Sequence, residues 1–295
     1  MYSRAEVLES FQPWVGEVEP DSYRDFLGVR TRVKYLPPTY ATFAGRLEGR
    51  PDAVSRASIT ADPAEMAGVL KAVIDASGSF CCVELGAGWG PFVVGSGVAA
   101  RRRGISKIRL IAVEGSAAHM DFLRQHFVDN DFDPDQHKLI RAAVGVYDGK
   151  ARFPRLHDPS FEWGAEAKFH RPGILHRLRN ASERTLQLTL DAFDWVPCMT
   201  LGTILADVPG ADVVHFDIQG GEAAVIVQGA DVLRAKAKRL VIGTHGRDLE
   251  HKLFVFLDAQ GWKLEDEKAC TFLQPEGRAI TLLQDGVQVW RNPAL

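Results

Sequence analysis

The sequence predicts an α/β fold: a Rossmann-like, doubly wound, mostly parallel sheet. Three observations carry that expectation. From residue 62 onward, short apolar runs alternate with stretches of helical period. A glycine-rich turn, Gly86-Ala87-Gly88-Trp89-Gly90, joins one such run to the next helical stretch. Acids, Glu114 and Asp217, stand at the ends of two later runs. Buried strands alternating with helices form parallel sheets covered on both faces, and right-handed crossovers wind them.

In chain order, residues 1–61 read as an N-terminal extension, helical in short pieces and covering the active site, with turns at Pro13, Pro20, Pro37, Pro38 and Pro51. Residues 62–295 read as the Rossmann-like domain. Asp62 can cap its first helix, Pro63 suits the first helical position, and Glu65 can complete a capping box. Met66, Val69, Leu70, Val73 and Ile74 then share one face, and Gly78 is the stop.

Phe80–Leu85 is a strand, Pro91–Arg103 a helix, Ile108–Val113 a strand, Ser116–Val128 a helix and Lys138–Val144 a strand. Asp212–Ile218 and Arg239–Thr244 are further strands, followed by helices over Glu222–Leu233 and Leu249–Gln260. Asp148-Gly149 and Asp285-Gly286 are two-residue hairpin signals, which predict an antiparallel hairpin at the sheet edge. Residues 154–184 break the rhythm and read as an insertion at the mouth of the site. The insertion carries Trp163-Gly164 and the basic residues Lys168, His170, Arg171, His176, Arg177 and Arg179.

Composition narrows the function. A net charge of −3 over 295 residues argues against a general nucleic-acid binder. Cys81, Cys82, Cys198 and Cys270 form no CxxC pair and read as buried, reduced thiols. Neither an apolar leader nor a run long enough to span a bilayer is visible, so the expected compartment is the cytoplasm.

The glycine turn narrows it further. Gly86 and Gly88 allow a tight bend and close approach of a ligand, and the helix start behind them is electropositive. A dinucleotide site would use G-x-G-x-x-G; here the third glycine is displaced and Glu84 precedes the first by two residues. A carboxylate there repels a pyrophosphate and favours a cation. S-adenosylmethionine carries an ammonium and a sulfonium and no phosphate, so it fits better. Ala87 belongs to the same loop. Glu114 suits the ribose hydroxyls, Ser116 either contacts the ligand or caps the next helix, and Ala143 offers a small apolar surface for the adenine or simply packs the core.

Asp217, in Phe216-Asp217-Ile218-Gln219-Gly220-Gly221-Glu222, lies at the carboxyl end of a buried strand, the edge where open α/β sheets bind ligands. His245 ends the next strand. Methyl transfer to an alcohol must remove the hydroxyl proton, so a histidine base oriented by a carboxylate is the expected pair. Glu222 reads as a charge in the first turn of its helix. A divalent ion such as Mg²⁺ between Asp217 and His245 is the less favoured version, because Gln219 and Gly243 supply few oxygens. Trp163 reads as a wall of the acceptor pocket or as packing.

With these strings in hand, the chain resembles the FkbM family of S-adenosylmethionine-dependent methyltransferases. The matching parts are Val83–Gly90, Ala112–Ser116, Ala142–Phe153, Thr189-Leu190-Asp191, Val214–Glu222 and Leu240–His245. The resemblance implies O-methylation of a saccharide, polyketide or other small metabolite, with Gly86, Gly88 and Glu114 holding the cofactor and Asp217 and His245 at the reaction centre. The chain departs from the family at His215, Gln219 and Gly243, where Lys, Glu and Glu are frequent, and in the length of 154–184. The partner expected is that small acceptor, with no nucleic acid, no membrane span, and a homo-oligomer compatible with the sequence. The competing readings are a nicotinamide-dependent oxidoreductase and a non-catalytic cofactor-binding scaffold.

Overall fold

The structure, a computed structural model, describes residues 2–51, 62–169 and 192–295. The basic residues from His170 to Arg179, and Thr189-Leu190-Asp191, lie outside the described residues. The extension begins with α1 (Arg4–Glu9) and an antiparallel pair, β1 (Ser22–Arg24) and β2 (Arg30–Arg32). Two 3₁₀ segments follow, Val33–Tyr35 and Pro38–Phe43. The helical pieces among the described residues of the extension are thus short, and six residues are α-helical. Repeated prolines remove backbone donors and stop longer helices from forming.

Phe11, Phe26 and Leu27 of the extension join the apolar layer that includes Val69, Val93 and Phe127. Among the extension's described residues, Tyr40 alone reaches the cleft described below.

The core starts at α2 (Pro63–Asp75), where Asp62 Oδ1 accepts the Ala64 N–H at 2.9 Å. Glu65 does not complete a capping box; its side chain turns toward His215. Then come β3 (Ser79–Leu85), α3 (Pro91–Arg102), β4 (Lys107–Glu114), α4 (Ala117–Asp129) and β5 (Lys138–Arg141). Arg32 in β2 clasps Asp129 of α4 through two bonds of 2.6 and 2.8 Å, which ties the extension to the core.

At Ala142 the chain leaves the main sheet. β6 (Ala143–Val144), β7 (Gly149–Pro154), β8 (Lys168–Phe169) and β9 (Phe193–Met199) form a second sheet in the order β6-β9-β7-β8. β9 lies between β6 and β7, so Asp148-Gly149 is not a hairpin turn. Asp148 instead accepts the Thr200 N–H at 2.9 Å and its hydroxyl at 3.1 Å.

α5 (Leu201–Ile204), β10 (Val213–Phe216), α6 (Glu222–Gln228), α7 (Ala230–Lys236), β11 (Arg239–Thr244), α8 (Arg247–Ala259) and β12 (Lys263–Lys268) follow. The helix expected over Glu222–Leu233 breaks at Gly229, where a Cβ would lie 2.4 Å from Leu201 Cδ1. β13 (Thr271–Leu273), β14 (Thr281–Gln284) and β15 (Gly286–Arg291) complete the chain.

The main sheet runs β12-β15-β11-β10-β3-β4-β5. From β11 to β5 it is parallel, and β15 is antiparallel to both neighbours. The predicted fold class and antiparallel edge are present. Asp285-Gly286 is not a hairpin, because β14 pairs with β13 while β15 enters between β11 and β12. α2, α3 and α4 cover one face through Leu70, Val93 and Leu123; α5, α6, α7 and α8 cover the other through Leu201, Ile226, Leu233 and Leu253. All four cysteines are free and buried. Among the described residues no helix is long and apolar enough to cross a membrane.

If the extension is part of the core, Phe26→Ala should destabilise the whole protein by about 3–5 kcal/mol, the usual cost of emptying a buried phenylalanine site. Urea unfolding should show one cooperative transition at a lower midpoint. A separate early transition would mean that the extension folds on its own.

Candidate functional site

The carboxyl ends of β3, β4 and β10 open into one cleft of about 1420 Å³, closed on its other sides by α2, β6 and the 163–167 turn. Small-molecule sites run about 300–1,000 Å³, so the space suits a nucleoside-sized ligand with an acceptor beside it.

The glycine turn bends as the sequence requires. Gly86 has φ 78° and Gly88 φ 55°, in the left-handed region. A Cβ on Gly86 would sit 1.9 Å from the Asp217 carbonyl oxygen, so this position tolerates no side chain. Ala87 lines the cleft. Glu84 also lines it, but its oxygens accept the N–H groups of Phe92 (3.4 Å) and Val93 (2.8 Å) in the first turn of α3. Burial pushes its pKa up to about 7, against the pull of His215 and those two donors.

Glu114 ends β4 at the cleft wall. It accepts the Gly88 N–H at 2.9 Å and the Ser116 N–H at 2.7 Å, so it braces the glycine turn. Burial raises its pKa and those donors oppose the rise. Ser116 resolves to the capping role: its hydroxyl accepts the His119 N–H at 3.3 Å, and it is not among the residues lining the cleft. Ala143 lines the cleft.

Trp163, open from the sequence between the acceptor wall and packing, lies over the glycine turn. Its ring comes within 3.1 Å of where a Gly88 Cβ would stand. The indole stacks on His119 at 4.0 Å and 8°, meets Trp89 edge-on at 4.4 Å, and donates to the Ser160 carbonyl at 2.9 Å. Burial lowers the His119 pKa, so a neutral flat ring backs the indole.

Asp217 faces the cleft, while His245 sits behind it and does not line the wall. The imidazole stands between two carboxylates: Nε2 is 3.3 Å from Asp217 Oδ1 and Nδ1 is 3.2 Å from Glu222 Oε1. Burial would lower its pKa, but Asp217 and Glu222 outweigh it and lift the value to about 11. Gln219, at φ 57°, donates to Asp217 Oδ1 at 2.8 Å. Glu222 stands in the first turn of α6, as expected. It is fully buried, and its Oε1 accepts the Ile218 N–H at 3.0 Å and the Gly220 N–H at 3.2 Å. Asp217, Glu222 and His245 each offer one ligand atom, all within 4.8 Å, which is the geometry a divalent ion would need.

The residues fit a cationic adenosine ligand. The turn admits close approach, an acid stands at the end of β4, and carboxylates rather than phosphate-binding cations surround the far end.

No family profile matches the chain. A protein named "Putative methyltransferase" from Jannaschia sp. (strain CCS1) is 32% identical over 289 residues, covering 98% of each chain. Among solved structures, a precorrin-6y C5,15-methyltransferase from Geobacter metallireducens GS-15 superposes with TM-score 0.41 at 13% identity, covering 80% of this chain and 91% of its own. Methyltransferase FkbM from Methylobacillus flagellatus KT gives TM-score 0.42 at 12% identity, covering 72% of this chain and 44% of its own.

The His245 cage has a pH consequence. Its folded pKa lies above the unfolded value of about 6.5, so the stability it contributes is complete below pH 6.5 and disappears as pH rises through about 11. Nitrogen-15 NMR should find both ring nitrogens protonated from pH 7 to 9. A ring that titrates near pH 6.5 would show that the cage is not formed.

Proposed function

The chain belongs to the methyltransferase family of its Jannaschia relative, and from that premise we propose that it moves a methyl group from S-adenosylmethionine to a hydroxyl oxygen of a saccharide, polyketide or similar small metabolite, in the manner of the FkbM family. Membership in a methyltransferase family sets aside the oxidoreductase and scaffold alternatives. The observation that carries the oxygen-acceptor reading is Asp217, a carboxylate open to the cleft and backed by the partly buried, charged His245.

When bound, S-adenosylmethionine supplies an electrophilic methyl on a sulfonium. Gly86, Ala87 and Gly88 give its backbone-side approach, Glu114 meets the ribose, Ala143 flanks the adenine, and Trp163 closes over the turn. Asp217 Oδ1 is engaged by Gln219 and His245, which leaves Oδ2 for the acceptor hydroxyl. Oδ2 takes the hydroxyl proton as the oxygen acquires the methyl. His245, already charged, cannot be that base near neutral pH; it holds Asp217 in orientation, with Glu222 as its counter-charge. The expected order of the pair is thus reversed.

A metal-free site is favoured. An imidazolium has no ring lone pair to offer an ion, and both nitrogens of His245 already face carboxylates. The acceptor stays a small molecule and the cytoplasm the proposed compartment.

Deuteriomethyl-labelled S-adenosylmethionine offered with hydroxylated sugars and polyketides should yield label on oxygen, read by mass spectrometry and NMR. Label on carbon or nitrogen would overturn the acceptor class. Asp217→Asn should lower kcat by about 10²–10⁴ and leave S-adenosylhomocysteine affinity near wild type. EDTA should change nothing; activity lost to EDTA and restored by Mg²⁺ would assign Asp217, Glu222 and His245 to an ion instead.

A further inference from the structure

A second histidine lies between carboxylates on the α2 side of the cleft. His215 in β10 is 1% exposed and packs on Phe92 with ring centroids 4.1 Å apart. Its Nε2 is 3.3 Å from Glu65 Oε1, and its Nδ1 is 3.8 Å from Glu84 Oε1 with no hydrogen-bond partner. Glu65 comes from α2, outside the strands that carry the recognised motifs. It reaches this position because Gly243 has no side chain: a Cβ there would stand 3.2 Å from Glu65 Oε1. Glu65 and Glu84 both line the cleft, on the same side as Asp217.

We propose that Glu65 is a direct ligand of the α-ammonium group at the amino-acid end of S-adenosylmethionine, held in place by His215 and acting together with Glu84. The inference rests on the cofactor reading above and adds a binding residue to it.

Charge balance is the first argument. Even a charged His215 leaves an excess of negative charge over Glu65 and Glu84, and burial raises the pKa of both. Buried carboxylates without a counter-ion are costly. Among the described residues, Lys268 is the lysine lining this cleft, and it is spent on Asp62 at 2.5 Å. A primary ammonium brings three donors and one positive charge, which is what two carboxylates and their crowded acceptors lack. Position is the second argument. His215 in β10 and Glu114 in β4 lie on opposite sides of β3, which carries the glycine turn, so a ligand with its ribose at Glu114 and its chain along Gly86 would place its far end at this seat.

Calorimetric titration with two nucleosides tests this. S-adenosylhomocysteine carries the ammonium; methylthioadenosine has the same adenosine and no amino-acid end. Glu65→Gln should weaken S-adenosylhomocysteine by about 10- to 100-fold, the worth of a charge-assisted hydrogen bond, and leave methylthioadenosine unchanged. Gly243→Ala, which presses a methyl against Glu65, should shift the same ligand in the same direction. Unchanged S-adenosylhomocysteine affinity in both variants overturns the proposal, as does an equal loss for methylthioadenosine. Wild-type protein that binds neither nucleoside overturns the cofactor reading itself, and this seat with it.

Discussion

Gly86 lies against the carbonyl of Asp217, and the geometry of the site follows from that contact. The Asp217 N–H bonds to Leu85 O at 2.9 Å, and the Gly86 N–H bonds to Val113 O at 2.9 Å. Three strand ends, β3, β4 and β10, are thereby pinned at one point. A methyl group on Gly86 would occupy the carbonyl oxygen's place. The glycine turn and Asp217 are therefore one rigid joint, and sheet register sets the distance between them. Positioning of this kind, on strands rather than loops, keeps reacting groups aligned.

Around that joint the protein buries acids and answers each in a different way. Glu84 is answered by the N–H groups and dipole of α3, Glu114 by the backbone of Gly88 and Ser116. Backbone donors fix those two as braces. Glu222 and Asp217 are answered by a histidine, as is Glu65. A side-chain cation can be shared with a ligand in a way a helix start cannot. Asp217 is the acid proposed for chemistry and Glu65 the one proposed for cation binding, the latter together with Glu84, which His215 also faces at 3.8 Å.

The strands and helices of the core were legible because their apolar runs are long and their period is clear. Arg239–Thr244 forms at its expected bounds, and Phe80–Leu85 within one residue of them. The two Asp-Gly signals misled because a turn signal is local and strand pairing is not: β9 comes between β6 and β7, while β14 pairs with β13 and β15 goes to β11 and β12. Glu65 and Glu222 were assigned to helix starts, where acids are common. Only the packing of α2 on β10, and the return of the chain through Gly220-Gly221, brings them to histidines. That Asp217 lines the cleft and His245 does not was illegible for the same reason. Adjacent strand ends predict neighbours, not which of them faces the opening.

β15 is made after every other strand, yet it sits inside the sheet, and β12 has no other partner in it. During synthesis β12 must therefore wait, unpaired, while the β13–β14 hairpin emerges. Phe272, Leu273, Ile280, Leu282 and Leu283 of that hairpin and its loop remain exposed even in the finished fold. The period before Gly286–Arg291 inserts is thus the one in which an open strand edge and apolar surface coexist, the combination that favours association between unfinished chains. Lys263, Glu265, Asp266, Glu267 and Lys268 make β12 densely charged, and such a strand resists pairing with a stranger while it waits.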